Sequence, residues 1–287
     1  QPGLVWSKVR NASGNHILVD SVRGANKVLS SNTGNPETTG GTITAFTKDG
    51  YGIDASQNIQ NQTYVEWLWA AGNTTTTNNA GSNGATVPST YSVNKLSKFS
   101  IVTYSGNNIA GTKVAHGLGQ KPRFIIVKNR TTGSTAWPVY HANQGAVNVP
   151  YLNDPTANFT RVGIFNNTEP DSNTFTVGGS SVDGSLLTNA QGNNYVAYCW
   201  AEVPGFSKFG SVQGVVDADG SMVNLEFRPR WVLIKRVDGT GDWVIEDTAR
   251  NFYNPVDLVL FPNSPSYESG SGVYTVDFLS NGFKIKK

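Results

Sequence analysis

Residues 121–141 read Lys-Pro-Arg-Phe-Ile-Ile-Val-Lys-Asn-Arg-Thr-Thr-Gly-Ser-Thr-Ala-Trp-Pro-Val-Tyr-His and decide the fold of this chain. An apolar run that ends in a lysine, a polar stretch with glycine, and a second run opened by tryptophan are typical of a β-hairpin. The pattern recurs at residues 4–20, where Lys8 ends the first run, and at residues 231–247, where Lys235 does so. The sequence therefore predicts three copies of one antiparallel β module.

Two further stretches recur around the hairpins. The aromatic run at residues 64–69, Tyr-Val-Glu-Trp-Leu-Trp, matches the run at residues 195–200, Tyr-Val-Ala-Tyr-Cys-Trp. Side chains alternate between the two faces of a strand, so one face of each run is predicted to pack in the core rather than to stack on sugars. The residues on that face are Val65, Trp67 and Trp69 in the first run and Val196, Tyr198 and Trp200 in the second. The run Leu-Ser-Lys-Phe at residues 96–99 matches Phe-Ser-Lys-Phe at residues 206–209, and each is predicted to be a leading strand.

The composition is typical of a turn-rich all-β protein. Of the 287 residues, 38% are hydrophobic and 15% are charged, and 31 are glycine. The hairpin lysines Lys8, Lys128 and Lys235 lie about 120 and 107 residues apart. This spacing is too long for a solenoid repeat and suits small domains.

The predicted fold class is all-β, with three tandem antiparallel β-sandwiches of jelly-roll type. Residues 1–72 are predicted to form a first module without a leading strand, and residues 91–203 a complete second module. Residues 204–287 are predicted to form a third module without a trailing strand. Residues 73–90 are rich in Asn, Thr and Gly, lack apolar periodicity, and are predicted to be a flexible linker. We therefore expect the first module to move relative to the second, while the short joint Pro204-Gly205 holds the third close.

Several classes of partner and site are disfavoured by composition. A net charge of +2 without a basic cluster gives no footprint for nucleic acid. No run of about 18 apolar residues is present, so membrane insertion is not expected. The single cysteine, Cys199, rules out an intrachain disulfide and a multi-cysteine zinc site, and we expect it to pack as a small hydrophobic residue. No metal and no cofactor is predicted.

An aspartate and an arginine recur after the hairpins. Asp20 precedes Arg23 in the first copy, and Asp247 precedes Arg250 in the last. We interpret each aspartate as the cap of a turn that also holds the arginine. His141 takes the place of the aspartate in the second copy, so the three copies share no single chemistry at this position.

The remaining candidates for catalysis form no recognisable set. Glycoside cleavage requires two carboxylates about 5 to 9 Å apart. The candidate carboxylates are Glu66, Asp154, Glu169, Asp171 and Glu246, and none recurs as a pair. His116 lies beside glycine and is interpreted as a turn residue, and Asp217-Ala-Asp-Gly220 as a tight turn rather than a calcium loop. The sequence therefore predicts no catalytic residue and assigns no ligand-binding residue.

Several stretches carry a family likeness: residues 99–104, 116–122, 125–130, 195–203 and 277–284. They resemble an uncharacterised β module that recurs in tandem in large structural proteins of marine bacteriophages, cyanophages especially, often described as tail fibres. The resemblance covers essentially the whole chain. It implies a component of the virion surface, an adhesin, and it supplies no catalytic or binding residue to transfer.

The resemblance and the composition together lead to one expected function and two alternatives. The expected function is a tail-fibre or surface-appendage module that attaches to a glycan of the host surface and contacts other virion proteins. A capsid-decoration or fibre-shaft module without a ligand is the nearest alternative, and a polysaccharide depolymerase is a weaker one. A homo-oligomer, such as a trimer, is expected from the resemblance. The incomplete first and last modules lead to the hypothesis that the continuing polypeptide or another subunit supplies the missing strands.

Overall fold

The computed structural model describes residues 1–179, 184–215, 217, 219–270, 272 and 274–286. Within these residues the chain is almost entirely β, every strand pairing is antiparallel, and no sheet closes into a barrel. The predicted all-β antiparallel class is confirmed, while the number of tandem sandwiches stays a prediction. No helix in the described ranges is long and apolar enough to cross a membrane.

The strands are short, as expected for a chain with so many turn residues. They are β1 (Leu4–Val9), β2 (Ile17–Asp20), β3 (Lys27–Ser30), β4 (Thr38–Thr39), β5 (Ile43–Thr47), β6 (Gly50–Ile53), β7 (Tyr64–Trp69), β8 (Thr76–Asn78), β9 (Ser89–Asn94), β10 (Phe99–Ser105), β11 (Thr112–Ala115), β12 (Phe124–Asn129), β13 (Val139–His141), β14 (Asn148–Val149), β15 (Phe159–Thr160), β16 (Thr174–Val177), β17 (Asn194–Trp200), β18 (Ser221–Asn224), β19 (Trp231–Lys235), β20 (Trp243–Asp247), β21 (Leu258–Val259), β22 (Ser269–Gly270), β23 (Thr275–Leu279) and β24 (Gly282–Lys286). One helical turn, α1 (Leu186–Asn189), and two short 3₁₀ turns complete the elements.

The three predicted hairpins form, and we call them the first (β1–β2), second (β12–β13) and third (β19–β20) hairpin. The first belongs to a sheet of order β4-β3-β2-β1-β7, and the second to one of order β13-β12-β17-β10-β9-β8. The two aromatic runs occupy equivalent places, because Trp69 of β7 lies opposite Leu4 and Trp200 of β17 lies opposite Phe124. The third hairpin forms a sheet of two strands.

The strands of the first and second hairpins that carry the lysines are buried along their whole length. Every residue of β1 and of β12 is inaccessible or nearly so, which confirms that these strands are covered on both faces. In β7 the side chains of Val65 and Trp67 are buried, whereas Leu68 on the opposite face is exposed. The predicted alternation is thereby confirmed for the first run, whereas in the second run, β17, both faces are buried in different clusters.

One hydrophobic cluster, which we call the shared core, contains side chains from all three hairpins. The hairpin side chains in the shared core are Leu4, Trp6 and Leu18 from the first, Phe124, Ile126, Trp137 and Val139 from the second, and Trp243 and Ile245 from the third. Burying one such side chain stabilises the fold by roughly 1.5–3 kcal/mol. The three hairpins therefore share one core in this structure, while movement of the first module relative to the second stays a prediction.

The outward face of each hairpin is covered by a separate cluster. In the first hairpin, Val5 and Val19 pack with Ile43 of β5. In the second, the outward residues of β12 and β17 pack with β11 and β16, and Cys199 is fully buried there, as expected for a small hydrophobic residue. In the third, Val232 packs with Phe278 and Phe283 of the β18-β24-β23 sheet. Each hairpin thus lies between the shared core and its own covering layer.

Backbone hydrogen bonds join the hairpins in a closed cycle, and two bonds recur at all three junctions. The first set is Gly14 N to Pro265 O (2.8 Å), Thr135 N to Gly34 O (3.0 Å) and Gly241 N to Pro155 O (2.8 Å). The second set is Glu268 N to Arg10 O (2.7 Å), Glu37 N to Arg130 O (2.9 Å) and Asn158 N to Val237 O (3.2 Å). The first hairpin thus contacts the loop that follows the third, the second contacts the loop that follows the first, and the third contacts the loop that follows the second.

Residues 73–90 differ from the predicted flexible linker. They contain β8 and the start of β9, and β8 pairs with β9 at the edge of the six-stranded sheet. Ser92 of β9 also donates a hydrogen bond to the carbonyl of Ala71 (2.7 Å). A strand of Thr and Asn residues can pair through its backbone groups alone. This segment is therefore ordered although its sequence has no apolar pattern. The predicted module boundaries at 72, 91 and 204 stay predictions.

The predicted leading strands do not form as expected. Residues 206–209 contain only an isolated bridge between Ser207 and Val203. In the matching run at residues 96–99, residues 96–98 form a turn and only Phe99 lies in a strand, at the start of β10. Elsewhere in the second repeat, residues 162–165 form turns and residues 174–177 form β16.

The shared core predicts that the chain unfolds as one unit. Ile245→Ala should lower the free energy of unfolding by about 2–4 kcal/mol, because it opens a cavity in the shared core. Hydrogen exchange under urea should show the amides of β1 losing protection to the same extent as those of β20. Ile109→Ala, at an exposed position, is the matched control and should change stability by less than about 0.5 kcal/mol. Unchanged protection of β1 in Ile245→Ala would contradict a common core.

The junction between the first and second hairpins predicts a large effect for a half-buried ion pair. Arg130 donates two hydrogen bonds of 2.9 Å to the carboxylate of Glu37. Arg130→Ala should lower the free energy of unfolding by about 1–2 kcal/mol, since the carboxylate stays sheltered from water. Arg236→Ala removes the exposed pair with Asp238 and should change stability by less than about 0.5 kcal/mol in the same urea titration. An equal loss of unfolding free energy in the two variants would contradict this interpretation.

Candidate functional site

Four of the five carboxylates considered for catalysis have structural partners. Asp154 caps a turn by accepting hydrogen bonds from the amide (2.7 Å) and hydroxyl (2.5 Å) of Thr156. Asp171 accepts from the amides of Asn173 and Thr174 (both 2.7 Å). Burial opposes ionisation of Asp171, but these hydrogen bonds outweigh it and hold its pKa below the usual value.

Glu66 and Glu169 are also engaged by neighbouring side chains. Glu66 accepts a hydrogen bond from the hydroxyl of Ser7 (3.3 Å), and burial raises its pKa. Glu169 accepts from the hydroxyl of Tyr140 (2.5 Å) and pairs with Lys121 (2.9 Å). These bonds outweigh burial and lower the pKa of Glu169. Each of these two carboxylates is therefore bound to neighbouring side chains of the fold.

Glu246 is a different case, because its carboxyl group is fully buried without a hydrogen-bond partner. It lies opposite Val232 in the third hairpin, on the face covered by the β18-β24-β23 sheet. Burial raises the pKa of Glu246 to about 8, with Arg250 opposing the shift and Asp257 adding to it. The group is therefore an un-ionised acid at neutral pH, and no solvent or ligand reaches it.

The three histidines are structural. Trp6 Nε1 donates to Nδ1 of His16 (3.0 Å) inside the core, and burial lowers the pKa of His16 well below its usual value. His116 accepts at Nδ1 from the amide of Leu118 (3.2 Å), two residues further along the chain. His141 accepts at Nδ1 from the amide of Asn143 (3.1 Å). Among the described residues, no imidazole bonds a serine hydroxyl or a carboxylate.

The aspartate–arginine pairs behave as the sequence predicts. Asp20 accepts hydrogen bonds from the amides of Val22 and Arg23, and its second oxygen accepts from the Arg23 guanidinium. Asp247 does the same for Ala249 and Arg250, at 3.0, 3.0 and 2.7 Å. Both pairs are buried, and each arginine is also bound by a glutamate at a junction: Glu37 for Arg23 and Glu268 for Arg250.

Of the hairpin lysines, Lys8 and Lys128 are buried and Lys235 is half-buried. Lys128 Nζ donates to the carbonyls of Thr135 (2.7 Å) and Gly34 (3.1 Å), and Lys235 Nζ donates to that of Pro155 (3.2 Å). Burial lowers the pKa of Lys128 to about 7 and that of Lys8 to about 8. An amine with a lowered pKa can act as a base, but the amine of Lys8 donates to the carbonyl of Val9 (2.7 Å) and that of Lys128 to the carbonyls named above, which are structural contacts.

Two concave surfaces lie on the second repeat. One is a polar groove of about 440 Å³, and its lining residues are Val87, Pro88, Ser89, Thr90, Thr103, Tyr104, Ser105, Gly106, Asn107, Arg130 and Asn194. The other is a hollow of about 160 Å³ beside Tyr91, Lys95 and Asn173. Gly117 lines this hollow with φ +72°, and a Cβ there would lie 2.3 Å from the ring of Tyr91. In the described residues neither surface contains a group of three metal-binding side chains.

The most exposed aromatic pair lies on the third repeat, in what we call the aromatic loop, residues 251–255. Phe252 is 74% exposed and Tyr253 is 83% exposed. The loop is nevertheless anchored: Asn254 exchanges two side-chain hydrogen bonds with the backbone of Phe278 (2.9 and 3.0 Å), and Asn251 donates to Asp257 (2.8 Å). Two large apolar rings are thus held in water on a fixed backbone, an arrangement typical of a contact site.

The aromatic loop is an insertion specific to the third repeat. Asn32, Asn153 and Asn263 are equivalent, because each accepts a hydrogen bond at 2.9 Å from a backbone amide at or up to two residues before the start of the second strand of its hairpin. The aspartate or histidine that ends that strand precedes the equivalent asparagine by 12 positions in the first two repeats and by 16 in the third. Sequence reasoning missed this loop, although the count of residues between the repeated motifs would have located it.

The buried acid predicts a specific pH dependence. Because the pKa of Glu246 is about 8 in the folded chain and near 4.5 when unfolded, the folded state binds an extra proton between these values. The stability that this protonation contributes to the free energy of unfolding is fully present below pH 4.5 and is lost as the pH rises through 8. Glu246→Gln should therefore match the wild type at pH 4 and be more stable by about 2 kcal/mol or more at pH 9.

The measurement for this prediction is urea unfolding at both pH values. Glu226→Gln, at an exposed position, is the matched control and should leave the difference between the two pH values unchanged. A wild-type pH dependence that persists in Glu246→Gln would show that another group is responsible.

The comparisons with known proteins add a family and no function. A comparison with curated proteins and a comparison with solved structures gave no match. A family model described as a domain of unknown function, DUF7483, matches residues 1–287. The match covers the whole sequence, including all three hairpins and the aromatic loop, so the chain belongs to the DUF7483 family.

Proposed function

We propose that this chain is a contact module of a virion surface, in a tail fibre or a related appendage, that attaches to a glycan on the host cell. The virion assignment is drawn from the resemblance of residues 99–104, 116–122 and 195–203 to modules of phage structural proteins. The attachment assignment is drawn from the aromatic loop, which is the single observation that carries it. No catalytic step is proposed.

The chemistry of the aromatic loop suits a saccharide. The faces of Phe252 and Tyr253 can stack on the apolar face of a sugar ring, and the phenol of Tyr253 can bond a sugar hydroxyl. A loop fixed through Asn254 loses little entropy when it binds. Two rings provide a weak contact, which repetition along an appendage would strengthen through multivalency.

The experiment compares binding of fluorescently labelled protein to cyanobacterial cells and to their isolated surface polysaccharide. The double variant Phe252→Ala, Tyr253→Ala should bind at least about tenfold more weakly than the wild type, because both stacking surfaces are removed. Both side chains are exposed, so the variant should fold normally. Tyr267→Ala, at another exposed aromatic position, is the matched control and should bind like the wild type.

The possible results of this experiment distinguish attachment from a module without a ligand and from a depolymerase. Equal binding by wild type and double variant would remove the aromatic loop from the proposal. Absence of wild-type binding at micromolar concentration would favour a decoration or shaft module without a ligand. Release of reducing ends from the polysaccharide would favour a depolymerase.

A further inference from the structure

The third hairpin has an open sheet edge that its two counterparts do not have. In the first hairpin β1 lies between β2 and β7, and in the second β12 lies between β13 and β17. In the third hairpin β19 pairs with β20, and no described strand pairs with its other edge. The empty position is the one that an aromatic run, Tyr-Val-x-x-x-Trp, occupies in the other two repeats.

The side chains along this edge are less buried than their equivalents. Trp231, Leu233 and Lys235 are half-buried. Their equivalents in the other hairpins, Leu4 and Phe124, Trp6 and Ile126, and Lys8 and Lys128, are all buried. The indole Nε1 of Trp231 is also sheltered from water without a hydrogen-bond partner. The edge therefore has the apolar surface and the unmet donor that a neighbouring strand would satisfy.

A strand added to the open edge of β19 would also have a segment of this chain on its other side. In the second repeat, β17 pairs with β12 on one side and with β10 on the other. Residues 209–215 correspond to β10, and they pair with no described strand. Val212, at the position of the fully buried Val102, is 40% exposed. Among the described residues the third repeat thus has both neighbours of the strand and no strand between them.

In the other two repeats, the strand at this position also makes a side-chain hydrogen bond to a neighbouring hairpin. Trp67 of β7 donates from its indole to Asp247 of the third hairpin (3.0 Å). Tyr198 of β17 donates from its hydroxyl to Asp20 of the first hairpin (2.8 Å). The equivalent position in the second hairpin is His141. At the inner end of the gap the ring of Trp231 lies 5.6 Å from that of Trp69 in the shared core.

We infer that the open edge of β19 binds, antiparallel, an extended peptide segment of the same aromatic pattern, Tyr-Val-x-x-x-Trp. The register follows from the other two repeats, where the last tryptophan of the run lies opposite Leu4 or Phe124. The corresponding tryptophan of the bound segment lies opposite Trp231. Backbone hydrogen bonds to β19 supply affinity, and the alternate aromatic side chains that enter the shared core supply specificity. This inference does not depend on glycan binding by the aromatic loop.

The test uses a peptide with the sequence of residues 62–70, Gln-Thr-Tyr-Val-Glu-Trp-Leu-Trp-Ala, added in excess to the full chain. Hydrogen exchange followed by mass spectrometry should slow at least about tenfold at residues 231–235, because their outward amides become paired. Residues 209–215 should gain protection as well.

The matched control is the same peptide N-methylated at its Val65 and Trp67 positions. In the folded chain Gly3 N donates to Trp69 O and Arg10 N donates to Thr63 O, so these alternate residues of the run face the hairpin. Methylation there removes the donors without changing the side chains, and the protection at residues 231–235 should disappear.

Two results would overturn the inference. One is unchanged exchange at residues 231–235 in the presence of excess peptide, or equal protection by the methylated peptide. The other is protection of the same residues that rises with protein concentration in the absence of peptide, together with a dimer in light scattering. That second result would assign the edge to a second copy of this chain.

Discussion

The fold depends on the burial of three apolar hairpin faces against one another. A hairpin of two short strands is at best marginally stable in water, because one face stays solvated unless another element covers it. Here the inward faces meet in the shared core, where Trp69 beside the first hairpin packs on Trp231 of the third, with ring centroids 5.6 Å apart. Removing any one hairpin would expose the apolar faces of the other two, which is why we expect the three repeats to unfold together.

Polar side chains bond one another where the hairpins meet, and the three junctions differ in the charge of these side chains. At two junctions a glutamate is bound by two arginines: Glu37 by Arg23 and Arg130, and Glu268 by Arg250 and Arg10. At the junction between the second and third hairpins the equivalent contact is neutral, from the amide of Asn158 to Gln144 (2.8 Å). The neutral junction is also the one that borders the open edge of β19.

The sequence predicts those features that depend on local pattern. The alternation in residues 64–69 identifies the buried face, and the spacing of Asp20 to Arg23 identifies the capped turn. The shared core follows from contacts between segments more than a hundred residues apart, which no local pattern encodes. The strand at residues 76–78 pairs through its backbone, so it lacks an apolar signal. The aromatic loop is visible only once the repeats are aligned on equivalent asparagines, and the burial of Glu246 depends on the sheet that covers it.

The cyclic arrangement has a consequence for the order of folding. The sheet that contains β1 needs no residue beyond Trp69, whereas Arg10 meets Glu268 across 258 positions of the chain. Closing a long loop costs more chain entropy than closing a short one, so the last junction forms late. A nascent chain emerging from the ribosome would hold Trp67 without Asp247 until the third hairpin has been translated. Until then its aromatic faces are open to solvent and prone to association, which makes the arrival of the third hairpin the step that protects the product from aggregation.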